Sequence, residues 1–266
     1  MGGLRPAEAL VSVRRELRRA GRIAGFGALT SAMVPAFLAH ERLAPSKDHA
    51  RVREQWVGAW CSMMLRLFGV TPIVKGPILS GSRGYLVVAN HRSTADIPLL
   101  LRAFGGSVVS RSDLAQWPLV GVAARAVDTL FVDRSDVLSG ARTVRAIGAR
   151  LVAGDTIIVF PEGTTFPDDQ VRPFRDGAFI ATLRAGADVL PVGLAYEKGS
   201  EAAFVGQSFP AHLARMAAAA PSRVAVCVGE PIAAASAVRA AQLREKAHSA
   251  VQRLVYEARE LVDASV

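Results

Sequence analysis

The sequence predicts an α/β fold: a mixed, mostly parallel sheet covered by helices, preceded by an N-terminal helical segment that associates with membranes. Three observations carry this reading. From residue 72 onward, short β-branched runs alternate with stretches of helical periodicity. Before that point, an arginine-rich stretch runs into seventeen residues without a charge. Polar motifs then fall at the seams where apolar runs end, which is where α/β sheets carry their sites.

The elements follow in chain order. Residues 1–22 hold Arg14, Arg18 and Arg22 at i, i+4, so a helix there carries a basic stripe. Residues 23–39, "IAGFGALTSAMVPAFLA", are at the lower edge of the length that spans a bilayer. They are rich in small residues and interrupted by Pro35, which favours a shallow or re-entrant segment over a clean span. A second apolar patch, residues 56–70, places Trp56 and Trp60 one turn apart, as an interfacial aromatic anchor would. Both patches also fit ordinary helices packed on a core. Strands are expected at 72–75, 85–89, 107–110, 129–132, 156–160, 189–195 and 223–228. Helices are expected at 96–104, 117–126, 138–153, 177–186, 210–219 and 236–262. The chain thus divides into a membrane-associating segment, 1–70, and an α/β domain, 71–266.

Composition narrows the partners. The 266 residues carry 32 basic and 23 acidic side chains, a net charge of +9, with 51% hydrophobic residues and a mean hydropathy of +0.27. Such a balance suits an anionic membrane face or a phosphorylated substrate; arginine-rich codon usage accounts for the excess equally well. Nucleic acid is a poor fit. The arginines are dispersed among acids, aromatics are 6%, and no zinc, RRM-like or helix-turn-helix pattern is present. Cys61 and Cys227 have no CxxC partner and read as buried free thiols. The five histidines form no HExxH or similar array, so no metal is expected.

The stretch 89–98, "ANHRSTADIP", joins a predicted strand to a predicted helix. His91 falls in the turn and Asp96 in the first helical turn, since Pro98 is tolerated only there. A carboxylate folded back onto the imidazole fixes one ring nitrogen and leaves the other free as a base. An equally good local reading makes His91 a turn residue and Asp96 a helix-terminus charge. A second seam, residues 159–165, ends a strand with Glu162, Gly163, Thr164 and Thr165, a turn whose backbone and hydroxyls can meet an anion. A third, residues 130–134, closes a strand on Arg134, whose fork suits a phosphate but also a surface ion pair.

Taken in order, these motifs resemble the glycerolipid acyltransferase family, the one containing 1-acylglycerol-3-phosphate acyltransferases. N-H-x4-D is matched by Asn90, His91 and Asp96, and the strand closing on an arginine by residues 131–134. F-P-E-G-T is matched by residues 160–164, and P-F-[KR]-x-G-A-F by 173–179, which includes Arg175. The apolar strand with a proline is matched by 189–192. The resemblance spans about residues 70–232. One departure stands out: Thr165 occupies the place of the arginine in E-G-T-R-S, a position tied to acceptor choice.

The resemblance implies acyl transfer from acyl-CoA or acyl-carrier protein to a lysolipid hydroxyl, with no cofactor. His91 would be the general base and Asp96 its partner. Arg134, Glu162, Gly163, Thr164, Thr165 and Arg175 would bind substrate. The acceptor expected first is 1-acyl-sn-glycerol-3-phosphate, with another lysolipid, such as a lyso-ornithine lipid, close behind. The expected location is the cytoplasmic face of a membrane. A non-catalytic lipid-binding protein would need neither His91 nor Asp96.

Overall fold

The structure, a computed structural model, describes residues 6–78, 84–117, 119–133 and 136–265. Two long helices come first: α1 (Pro6–Leu43) and α2 (His49–Phe68). Then follow β1 (Val70–Lys75), β2 (Tyr85–Ala89), α3 (Asp96–Phe104), β3 (Ser107–Arg111), α4 (Val120–Ala126) and β4 (Leu130–Val132). The chain continues through α5 (Val137–Val152), β5 (Ile157–Val159), α6 (Gly177–Ala185), β6 (Asp188–Tyr196), α7 (Phe209–Ala218), β7 (Ser222–Val228) and α8 (Ala240–Asp263). The seven strands form one sheet in the order β1-β7-β6-β2-β5-β3-β4. Every pairing is parallel except β6 with β7. A mixed, mostly parallel sheet flanked by helices is the architecture the sequence predicts.

The central strands are apolar on both faces, as covered parallel strands are. Leu86, Val87, Val88 and Ala89 of β2 and Ile157 and Ile158 of β5 are fully buried. One core lies between the sheet and α2, α3 and α7; the other lies between the sheet and α5, α6 and α8. Cys61 and Cys227 are buried free thiols within these layers. β6 runs past the end of its register with β2, where Ala89 faces Val192. Its last residues, through Tyr196, therefore stand beside the loop that follows β2.

The N-terminal region departs from expectation in three ways. First, α1 is one continuous helix through Pro35 rather than a re-entrant segment. A proline removes one backbone hydrogen bond, and packing holds the following turns. Phe37 is buried, His40 Nδ1 accepts from the Trp56 indole at 3.0 Å, and Glu41 pairs with Arg53 at 2.8 Å. Leu10–Leu43 is long and apolar enough to cross a membrane, and little of it is buried against the protein.

Second, the half-buried Trp56 and Trp60 turn toward α1: Trp56 bonds His40, and the Trp60 indole donates to the Thr30 hydroxyl at 3.2 Å. Third, the arginine stripe is largely spent inside the protein. Arg22 is buried and donates to the carbonyl of Ala219 at 2.7 Å, and Arg18 reaches Ala218 at 3.3 Å. Both arginines cap the C-terminus of α7, where carbonyls lack helical partners. Helical periodicity marks a stripe and does not tell which side of the helix meets the protein.

Candidate active site

β2 and β5 are adjacent in the middle of the sheet, and their C-terminal ends carry the two principal motifs side by side. Asn90 extends the β2 ladder with its side chain. Its amide donates to the Leu194 carbonyl at 2.9 Å and accepts from the Leu194 N–H at 2.8 Å. Past Asn90 the chain turns sharply, and the Asp96 carboxylate folds back over that turn. Oδ2 of Asp96 accepts from the backbone N–H of Arg92 at 2.6 Å and of Ser93 at 2.7 Å. A short polar side chain satisfying the amides before a helix is the local chemistry expected of aspartate. The same oxygen lies 2.9 Å from His91 Nδ1, and the carboxylate is fully buried.

The pair is held from three further directions. Tyr196, arriving on β6, donates its hydroxyl to Asp96 Oδ1 at 2.7 Å. Burial first, then the Asp96 charge, raises the phenol well above its ordinary pKa and keeps it a donor. Phe160 stacks on the His91 ring at 4.1 Å between centroids and 19° between planes. Glu162 takes the backbone N–H of His91 on one oxygen at 2.9 Å and that of Arg172 on the other at 2.8 Å. Burial pushes the Glu162 carboxyl above its usual range, while the two amides and the nearby His91 and Arg172 draw it back. With Nδ1 committed to Asp96, Nε2 of His91 has no partner among the described residues, and the ring is partly exposed. That is the arrangement of a steered general base.

The remaining expected site residues cluster unevenly. Gly163 closes the turn onto the Phe160 carbonyl at 3.0 Å with φ +85°. A Cβ there would also stand 2.6 Å from Arg175 Nε, so the glycine lets the Arg175 side chain lie across the turn. Arg175 is exposed, and its guanidinium has no hydrogen-bond or ion-pair partner among the described residues. Thr164, exposed, and Thr165, half-buried, follow on the same rim. Arg134 lies outside the described residues. Among the described residues, no three His, Cys, Asp or Glu side chains gather as metal ligands.

Behind the turn lies an apolar cavity of about 190 Å³. α1 and α2 wall it with Phe26, Phe37, Trp60 and Cys61, and Thr94, Ala95, Ile97 and Pro98 bring it to the loop that carries the His–Asp pair. The Trp pair, read from sequence as an anchor, thus lines this cavity.

Several functional residues escape sequence reasoning. Tyr196 and Asn90 act across strands, and Phe160 acts across the β2–β5 seam. Arg92 pairs with Asp169, which Arg259 of α8 holds at 2.8 Å, tying the 161–175 loop to the rest of the core. Asn90 and Phe160 belong to motifs and carried a signal; Tyr196 and Arg259 carried none.

A central His–Asp pair on a mostly parallel sheet, with an apolar cavity at its back, fits the class of α/β enzymes that take apolar substrates. Comparison with known proteins agrees. A family model described as Acyltransferase matches residues 63–195. The chain is 30% identical over 251 residues to the lyso-ornithine lipid O-acyltransferase of Pseudomonas aeruginosa, covering 91% of this chain and 94% of that one. It is 31% identical over 113 residues to the 1-acyl-sn-glycerol-3-phosphate acyltransferase of Neisseria gonorrhoeae, covering 42% of this chain and 44% of that one. The crystal structure of the 1-acyl-sn-glycerophosphate acyltransferase of Thermotoga maritima superposes with a TM-score of 0.72 at 24% identity, covering 91% of this chain and 97% of that one. The chain belongs to the acyltransferase family.

Proposed function

We propose that the protein moves a fatty acyl group from a thioester, acyl-CoA or acyl-carrier protein, to the free hydroxyl of a lysolipid. The observation that carries this reading is the 2.9 Å contact of His91 Nδ1 with a fully buried Asp96. It leaves Nε2 as the base. Nε2 takes the hydroxyl proton as the oxygen attacks the thioester carbonyl. The tetrahedral adduct expels the thiolate, and the imidazolium returns the proton to that sulfur. Asp96 stabilises the imidazolium while it exists. The acyl chain lies in the apolar cavity, whose Thr94 and Ala95 end directs the thioester toward His91.

The acceptor is assigned first to 1-acyl-sn-glycerol-3-phosphate. The support is Arg175, an exposed cation beside Gly163, suited to a phosphate. Thr164 and Thr165 supply hydroxyls on the same rim, and Arg134 is assigned to the same phosphate from its motif. Glu162 contributes by bracing His91. A lyso-ornithine acceptor is the second reading, favoured by Thr165 and by the relative that spans nearly the whole chain. α1, with its exposed Leu10, Val13 and Leu17, seats the site against the cytoplasmic face of a membrane, where both lipids reside. Purified enzyme assayed with each donor against a panel of lysolipids tests the assignment. Lysophosphatidate should turn over fastest, and a preference for lyso-ornithine lipid would replace it with the second reading.

A further inference from the structure

α7 stands directly behind the catalytic turn. His212, 1% exposed, points its Nε2 at the backbone N–H of Thr94 across 3.3 Å. An amide can only donate, so Nε2 is the acceptor and Nδ1 carries the proton. That Nδ1 is buried and has no partner among the described residues. Burial also pulls the His212 pKa down to about 4, so the ring stays neutral while the enzyme works. Met216, one turn on, receives the Thr94 hydroxyl on its sulfur at 3.5 Å. One face of α7 therefore holds the residues between His91 and Asp96.

That face is fixed from α1. Arg22 donates to three carbonyls at the end of α7, those of Met216 at 3.4 Å, Ala217 at 3.4 Å and Ala219 at 2.7 Å. A second route runs in parallel. Arg15 pairs with Glu201 at 2.6 Å, and the adjoining Ala202 carbonyl accepts the Ser93 hydroxyl at 2.7 Å. The polar side of the N-terminal helix thus reaches the catalytic loop through two short relays.

We infer that His212 is a positioning residue for the acyl transfer: its Nε2 holds the Thr94 amide, and Arg22, by capping α7, sets where that nitrogen stands. The inference rests on His91 and Asp96 being the proton-transfer pair. A neutral buried imidazole with one orphaned nitrogen is a costly filler, and an apolar side chain would pack there without that penalty. What the imidazole supplies is an acceptor, placed on the amide two residues before Asp96.

Steady-state kinetics of the purified full chain, with acyl-CoA and a lysolipid, test this. His212→Leu should lower kcat about tenfold, below the loss for a full ångström of misplacement, with the acceptor KM within about twofold. His212→Gln, whose side-chain carbonyl reaches the same amide, should recover the rate to within about threefold of the native enzyme. Arg22→Gln should lower kcat similarly, and the double variant Arg22→Gln/His212→Leu should fall no further than the worse single variant. If the Leu variant melts below the assay temperature, His212→Phe keeps a ring, removes the acceptor and takes its place. A native kcat in the Leu or Phe variant overturns the inference. So does a Gln variant no better than Leu, or losses that multiply in the double variant. His91→Ala, run alongside, separates this result from the underlying mechanism: activity surviving there removes the proton pair itself, whatever His212 does.

Discussion

Tyr196 donates its hydroxyl to Asp96 across 2.7 Å, from the far end of a strand that begins beside Tyr85. This bond shares the Asp96 charge between the phenol and the His91 imidazole. Tyr196→Phe leaves Asp96 to His91 and to the Arg92 and Ser93 amides, and strips its other buried oxygen of a donor. The value of kcat should fall by about tenfold or less. Asp96→Asn is the harsher change, because it removes the negative charge that stabilises the imidazolium during transfer. There the loss should approach the roughly 10²- to 10⁴-fold range of a disabled acid–base catalyst. Initial rates of both purified variants at saturating substrate check the two.

Glu162 joins the His91 turn to the Arg172 loop with one oxygen each. Gln at this position offers one acceptor for two amides. Glu162→Gln should cost about 1–3 kcal/mol of stability, the price of one stranded backbone N–H. It should also lower kcat, because the backbone under His91 loosens. Urea unfolding and initial rates on the same preparation measure both effects; a variant as stable as the native protein would contradict the bracing role.

His212 carries a pH signature of its own. Its folded pKa is about 4, below the ordinary value of 6.5. Between those values the unfolded chain binds a proton that the folded chain refuses, so stability rises with pH across this window and is lost as pH falls through it. His212→Gln should remove this component. The difference in unfolding free energy between native and Gln proteins should shift by up to about 3 kcal/mol between pH 7 and 4. A difference flat in pH would mean that His212 titrates normally.

On α1, Leu10, Val13 and Leu17 share one exposed face at i, i+3, i+7. Each Leu leaving lipid gives up about 1.5–3 kcal/mol. Leu10→Glu with Leu17→Glu should therefore weaken sedimentation with anionic vesicles by roughly a hundredfold or more. The melting temperature should stay put, since neither side chain packs on the core. Unchanged sedimentation would place the membrane contact elsewhere.

Much of this architecture is legible in the chain because its signals are local. All seven strands are short β-branched runs bounded by turn residues. The His91–Asp96 pair is visible because both ends lie within one strand-to-helix seam. The rest depends on distant pairings. Tyr196 reaches Asp96 only because β6 lies beside β2 and overshoots it. Arg22 reads as surface charge until α7 presents its bare carbonyls, and His212 reads as one of five scattered histidines until α7 sets it on Thr94. Trp60 reads as an anchor because an indole facing lipid and an indole facing a helix look the same in one dimension.

The central claim is that Nε2 of His91 draws a proton from a lysolipid hydroxyl as it takes an acyl group. The most direct measurement is the rate of acyl transfer by purified native and His91→Ala proteins, with acyl-CoA and lysolipid saturating and circular dichroism confirming that both are folded. The His91→Ala rate should lie roughly 10²- to 10⁴-fold below native. A folded His91→Ala protein that transfers acyl groups at the native rate would contradict the account.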